Sequence, residues 1–447
     1  MEHQRGIYHF QPEKNWMNDP NGPVVIDGKL HLFYQHNPFG AVWGNMTWGH
    51  AVFTDLVQWK HLPFALNPDM PYDKDGVFSG CCVMKDGLPH ILYTGVSPEV
   101  QCLAIGDEKG EKFTKYEGNP VIVREEGEML NGFRDPFVWQ DGEKYYMIVG
   151  SGEKGKRGFA FVYESKDLKH FTRVGEFCSK ESDTLDMWEC PNLFRFGDGN
   201  ATLLVSWNNA VHALDGKLDG AKFSAGEYRP FDLGDSFYAP NTLVLEDGRI
   251  VNFGWMRETV PGREQYGWQG MMTIPREIVR YGDGAVGAKP VKEIGLLRKE
   301  KLVEKKDFTL RSGENALKGV SSQHCELLIE FETGSQGELI LELDKNKATG
   351  EKAVISYDGF SDTVTCDTEK CGGKGKCGGY VAGRGLTKLR IFLDGSGLEI
   401  FVNDRETLTT RLYPTSAESS GMRLYAEGGV RVKRLQVYEM NGGLQEE

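Results

Sequence analysis

FRDPFVWQDGEKYYMIVG, residues 133–150, has three parts in a fixed order. A polar motif comes first, then a short apolar run ending at Asp141-Gly142, then a run rich in aromatic and β-branched residues. Asp-Gly between two strand-like runs signals a tight hairpin, because both residues tolerate the positive φ such turns require. The same order recurs in NDPNGPVVIDGKLHLFYQ (18–35), FSGCCVMKDGLPHILYTG (78–95), WECPNLFRFGDGNATLLVSW (188–207) and FYAPNTLVLEDGRIVNFGW (237–255). The five Asp-Gly pairs begin at 27, 86, 141, 198 and 247. One unit per roughly 50–60 residues is the length of a propeller blade.

Further along three of the units, FTDLVQWKHL (53–62), GDEKGEKFTKY (106–116) and ESKDLKHFTRV (164–174) read as outer hairpins. Two hairpins per unit make four strands, which is one blade. The pattern predicts an all-β chain that begins with a five-bladed β-propeller over residues 1–290. The character then changes. All nine Trp lie at or before Trp268, and the later stretches, such as HCELLIEFETG (324–334) and LTKLRIFLDGSGLEIFVND (386–404), alternate apolar and polar residues. That alternation predicts an antiparallel β-sandwich over residues 306–447, reached through a linker at 291–305 within AKPVKEIGLLRKEKLVEKK.

The 447 residues carry 39% hydrophobic side chains and a net charge of -13. That balance fits a globular protein with a neutral partner such as a sugar, and it argues against nucleic acid. No apolar run approaches the roughly 20 residues that span a bilayer, so no membrane partner is expected. The opening MEHQRGIYHF has no signal-peptide core, which predicts a cytoplasmic protein, or a secreted one if a leader has been removed. Nine cysteines cannot all pair within the chain. Cys366, Cys371 and Cys377 lie close together, but without CxxC or a nearby His they read as free thiols or a local disulfide rather than a metal site. The sequons at Asn45 and Asn200 are short enough to arise by chance. The sequence leaves the oligomeric state open.

WMNDPNG (16–22) raises the functional question. Asp19-Pro20-Asn21-Gly22 has the composition of a tight turn. In a propeller the first strand of each blade lines the central channel. Asp19, Ser79, Asp135, Glu189 and Tyr238, each shortly before its Asp-Gly, would therefore meet at one mouth. Three carboxylates in one aromatic pit raise one another's pKa, and chains tolerate this mainly where it has a use. Two carboxylates flanking one bond are the equipment for glycosidic cleavage. Trp16, Trp43, Trp48, Trp188, Trp255 and Trp268 lie in or near these motifs, and indole faces suit sugar C–H surfaces.

WMNDPNG, FYQHNP, WGNMTWGHAVFTDLVQW, FSG, FRDP, WECP and FYAPNT, in this order, closely resemble the motifs of glycoside hydrolase family 32, the β-fructofuranosidases. The resemblance spans nearly the whole chain. It implies a retaining hydrolase that releases terminal β-D-fructofuranosyl units from sucrose, fructo-oligosaccharides or fructans, without metal or organic cofactor. It implies Asp19 as the nucleophile, Glu189 as the acid/base and Asp135, with Arg134 beside it, as a transition-state stabiliser. Adjacency in sequence reads Arg134 and Asp135 as an ion pair, which would keep Asp135 ionised. Asn18, Gln35, Trp43, Phe78, Ser79 and Trp255 would line the fructose subsite. A fructosyltransferase would use the same acids. Arabinose or xylose glycosidases and a non-catalytic fructan-binding protein are the other readings. Sucrose, inulin, levan and sucrose 6-phosphate all remain open as substrates. Cys81 and Cys82 depart from the Ser usual after FSG. Cys190 reads as a small buried hydrophobe and His50 as structural.

Overall fold

The computed structural model describes residues 2–128, 130–178, 186–332, 337–383 and 385–445. Five sheets, antiparallel except for one short parallel pair, hold the first part of the chain, and two hold the rest. The inner strands are Asn15–Ile26, Gly76–Lys85, Phe133–Asp141, Glu189–Arg195 and Phe237–Val244. Each pairs with the strand that follows its Asp-Gly, as the repeat predicts. The hairpins differ in detail. Asp27-Gly28 and Asp86-Gly87 are two-residue turns with positive φ at both residues. Blades four and five instead place Asp198-Gly199 and Asp247-Gly248 in longer loops. No helix among the described residues is long and apolar enough to cross a membrane.

The ring closes through a short strand from the last blade that joins the sheet of the first. Asn15 and Trp16 of blade one pair in parallel with Trp268 and Gln269 from blade five. Beside them the Met272 amide donates to the Phe10 carbonyl at 2.7 Å.

One sequence expectation fails here. Asp19-Pro20-Asn21-Gly22 is not a reversal; it lies inside the continuous strand Asn15–Ile26. Its turn-forming residues make irregularities instead, at register slips between Met17 and Pro20 and between Asn21 and Val24. Pro20 can sit there because a bulge needs no ladder N–H. Gly22 adopts φ +44°, and a Cβ on it would lie 2.6 Å from the Cys82 amide nitrogen of the next blade.

The second part of the chain is a sandwich of a six-stranded and a five-stranded antiparallel sheet. Leu327, Ile329, Leu341, Ile355, Ile391 and Val437 fill the space between them. The expected linker is too long. Residues 298–305 belong to the strand Arg298–Leu310, at the edge of the six-stranded sheet. Its many exposed charges hid it from pattern reading, and such charges are how edges are kept from pairing with other chains. The connection is the short 3-10 helix Lys292–Leu297.

A buried polar clasp joins the two parts and the N-terminal segment. Asp394 of the sandwich accepts the backbone amides of Ile7, Tyr8 and His9 at 2.8, 2.9 and 2.8 Å. The His9 ring lies 2.9 Å from both Asp394 and Glu399. Glu399 also receives Arg276 Nε at 2.9 Å and the Ile274 amide at 2.7 Å, both from the propeller.

Candidate active site

Every inner strand slips register by one residue at the same mouth of the channel. The slips fall between Met17 and Pro20, Phe78 and Gly80, Arg134 and Phe137, Glu189 and Asn192, and Tyr238 and Asn241. A bulge of this kind bends the strand and re-aims its side chains. Asp135, Cys190 and Ala239 take φ of 65°, 46° and 46° there, each just before a proline. Such angles in non-glycine residues cost about 1–3 kcal/mol each and cluster at functional sites.

The bulges also correct the blade equivalence expected from spacing. Asp19, Ser79, Asp135, Cys190 and Ala239 fall within the slips, whereas Glu189 and Tyr238 sit one residue earlier, like Phe78 and Arg134. Counting back from Asp-Gly missed this because blades four and five have longer hairpin loops.

All ten expected site residues line one pit of about 380 Å³: Asp19, Asp135, Glu189, Asn18, Gln35, Trp43, Phe78, Ser79, Arg134 and Trp255. Cys190 and Tyr238 complete it. Below, Pro20, Pro136, Pro191 and Pro240 help form a neck with only about 10 Å³ of free space. A larger cavity of about 960 Å³ opens at the other mouth, but it contains none of the three carboxylates.

The carboxylates are held differently. Asp19 accepts the Ser79 hydroxyl at 2.6 Å. Burial pushes its pKa above the usual range, against hydrogen bonds from Ser79 and Asn18, and Glu189 adds to the rise. Asp135 accepts the Cys190 amide at 2.9 Å, and its own amide donates to Thr94 Oγ1 at 3.0 Å. Burial pushes Asp135 up to about 7; Arg134 opposes this and Asp19 reinforces it. Glu189 is gripped on both oxygens, by Arg134 Nη2 at 2.7 Å and the Tyr238 hydroxyl at 2.5 Å.

Arg134 therefore does not spend its hydrogen bonds on Asp135. Its Nε stands 4.0 Å from that carboxylate, while its terminal nitrogens bind Glu189 and, at 2.9 Å, Glu99. The ion pair expected from adjacency in sequence is present but long, because Glu99 and Glu189 take the ends of the guanidinium fork.

Cys190 does more than fill space. Its Sγ lies 3.4 Å from Asp19 and 3.6 Å from Asp135. Burial and the surrounding carboxylates hold the thiol far above its ordinary pKa. It is a neutral S–H donor between two acids, not a thiolate nucleophile. Cys81 and Cys82, which follow Ser79-Gly80, are buried between blades and leave the Ser79–Asp19 bond intact.

The aromatic residues divide. Trp43, 59% exposed, stands at the rim edge-on to Phe78. Trp16 meets Trp255 edge-on at 5.8 Å, and its Nε1 donates to Asn18 at 2.7 Å. Trp48 and Trp188 are fully buried core. His50 stacks on Phe33 and pairs with His31 at 2.9 Å, away from the pit. All nine cysteines are free, and no cluster able to hold a metal occurs among the described residues.

Residues 9–289 match the N-terminal domain of the glycosyl hydrolases family 32, and residues 293–439 match its C-terminal domain. The chain belongs to glycosyl hydrolase family 32. It is 33% identical to the levanase of Bacillus subtilis strain 168 over 98% of this chain and 71% of that protein. It is 32% identical to the raffinose invertase of Escherichia coli over 95% and 92%. The structure of sucrose-6-phosphate hydrolase from Lactobacillus gasseri superposes with a TM-score of 0.88 at 26% identity, covering 99% of this chain and 94% of that one. The architecture is a β-propeller over the first matched domain and a β-sandwich over the second.

Proposed function

We propose that this family 32 glycosidase is a retaining β-fructofuranosidase whose pit takes a terminal fructosyl unit. The observation that carries the reading is the convergence of Asp19, Asp135 and Glu189 in one pit, with Glu189 held by Arg134 and Tyr238. Levan, raffinose and sucrose 6-phosphate, the sugars in the relatives' names, share a fructofuranosyl unit and differ in what it is joined to.

Asp19, with Ser79 and Asn18 donating to it, attacks the anomeric carbon to form a fructosyl ester. Glu189, at the more open side of the pit, gives its proton to the departing oxygen and later takes one from water. Positive charge at the anomeric carbon in the transition state is stabilised by the surrounding carboxylates more than the neutral ground state is. Asp135 ionises near neutrality. It accepts fructose hydroxyls in either form, and its ionised form adds to that stabilisation.

The test is product analysis on sucrose and inulin side by side, repeated with methanol present. Free fructose in the first minutes and methyl β-D-fructofuranoside are expected. The α-anomer would overturn retention, longer products from sucrose would mark transfer to sugar, and no fructose from any fructoside would remove the reading.

A further inference from the structure

Glu99 lies outside every motif of the family resemblance, and it does not line the pit. It sits between the blade-two strands Leu88–Val96 and Val100–Gly106, on the side facing blade three. Its carboxylate is committed at both oxygens. Oε2 accepts the Phe133 amide at 2.5 Å, and Oε1 accepts Arg134 Nη1 at 2.9 Å. The other end of the same guanidinium reaches Glu189 at 2.7 Å. One rigid fork thus joins Glu99 to the carboxyl that, on the reading above, must deliver a proton.

We infer that Glu99 is a positioning residue that shares the charge of Arg134 and so keeps Glu189 able to hold the proton it donates. The inference rests on Glu189 being the acid/base. A guanidinium 2.7 Å from a carboxylate favours the ionised form, which is the wrong form for protonating a leaving group. A second carboxylate on the same guanidinium divides that pull and adds a repulsive negative charge nearby. The planar fork also fixes geometry, because Nη1 held by Glu99 leaves Nη2 aimed at Glu189.

The other groups facing Glu189 are known. Arg134 and Asp135 come from blade three, Asp19 from blade one, Tyr238 from blade five, and Cys190 is its neighbour in sequence. Arg134 is the cation among them. Burial alone would weaken its hold on a proton, but Asp135, Glu99 and Glu189 outweigh it and raise its pKa, so it stays charged throughout the working range. Tyr238 stays a neutral donor, because burial and Glu189 both oppose its ionisation. Removing Glu99 leaves the positive charge of Arg134 to fewer carboxylates, of which Glu189 is in direct contact.

The experiment compares kcat and kcat/KM on sucrose from about pH 4 to about pH 9 for the parent enzyme, Glu99→Gln and Glu99→Asp. In Glu99→Gln the alkaline limb is expected to move to lower pH by about half a unit or more, lowering kcat at pH 8 by about 3- to 10-fold, with KM changed by less than about twofold. Glu99→Asp keeps the charge on a shorter stem. It should lose some rate at every pH, with its alkaline limb where the parent's is. A uniform drop across pH in both variants would reduce Glu99 to a structural cap on Phe133, and an unchanged Glu99→Gln profile would refute any role. If Glu99→Gln unfolds, an alkaline limb displaced in Glu99→Asp would overturn the inference, and one left in place would support it. Glu189→Ala measured alongside separates the two levels. Full activity there would remove the acid/base reading itself, whereas an inactive Glu189→Ala beside an unmoved Glu99→Gln limb would remove only the Glu99 inference.

Discussion

The Tyr238 hydroxyl of blade five meets the Glu189 carboxylate of blade four at 2.5 Å, opposite the grip of Arg134. A hydrogen bond to a charged group is worth about 1.5–3 kcal/mol. Tyr238→Phe should therefore lower kcat by about 10- to 100-fold while KM changes little. Steady-state kinetics on sucrose, with thermal unfolding to show an unchanged fold, checks this. A change confined to KM would mean that Tyr238 holds substrate rather than Glu189.

Asp135 gives a prediction about stability. Its folded pKa is raised to about 7, above the ordinary 3.8, chiefly by burial. The native state thus holds a proton that the unfolded state releases, and stability falls as pH rises from about 4 to about 7. Asp135→Asn keeps an acceptor for the Cys190 amide and removes the charge. It should be more stable than the parent at pH 8, by up to about 4 kcal/mol, with the difference vanishing near pH 4. Its kcat should nevertheless collapse. Melting curves of both proteins across this range decide the point.

Trp43 stands at the rim with one face open. Trp43→Ala removes a stacking surface but little core. We expect KM for sucrose to rise about 10-fold, with melting temperature unchanged within error. A melting temperature lower by many degrees would place Trp43 among the structural tryptophans instead.

His9 lies between Asp394 and Glu399, and both ring nitrogens face carboxylates, so the ring is doubly protonated. Burial opposes this charge, but the two carboxylates prevail and raise its pKa to about 9. The stabilisation is complete below about pH 6.5 and is lost as pH rises through about 9. His9→Gln should cost about 3 kcal/mol at pH 6, and the difference should shrink above pH 9. Chemical denaturation at pH 6 and pH 10 measures it. An equal cost at both would mean that packing, not charge, is what His9 supplies.

The five hairpins and the three acids were legible in the sequence because each rests on local chemistry: Asp-Gly turns, strand alternation, and motifs at the start of inner strands. The rest is not local. Asp19-Pro20-Asn21-Gly22 has turn composition, but only its neighbours in the sheet decide that a bulge forms instead. The place of Cys190 between Asp19 and Asp135 depends on a register slip that no spacing rule counts. Arg134 gives its hydrogen bonds to Glu99 and Glu189 and only a long ion pair to the residue beside it, since side-chain reach is set by the fold. The strand Arg298–Leu310 reads partly as linker because its packing is confined to one edge, leaving its charges outward.

The backbone of Ile7, whose amide binds Asp394, is separated from its partner by 387 positions of chain. During synthesis Ile7 waits without this partner until the sandwich strand carrying Asp394 has been made. Phe10, just beyond them, packs with Tyr34, Phe53 and Trp59 of blade one and takes the Met272 amide at the seam of the ring. Blade one, made before the other four, is thus fastened only after the segments carrying Met272 and Asp394 have been made.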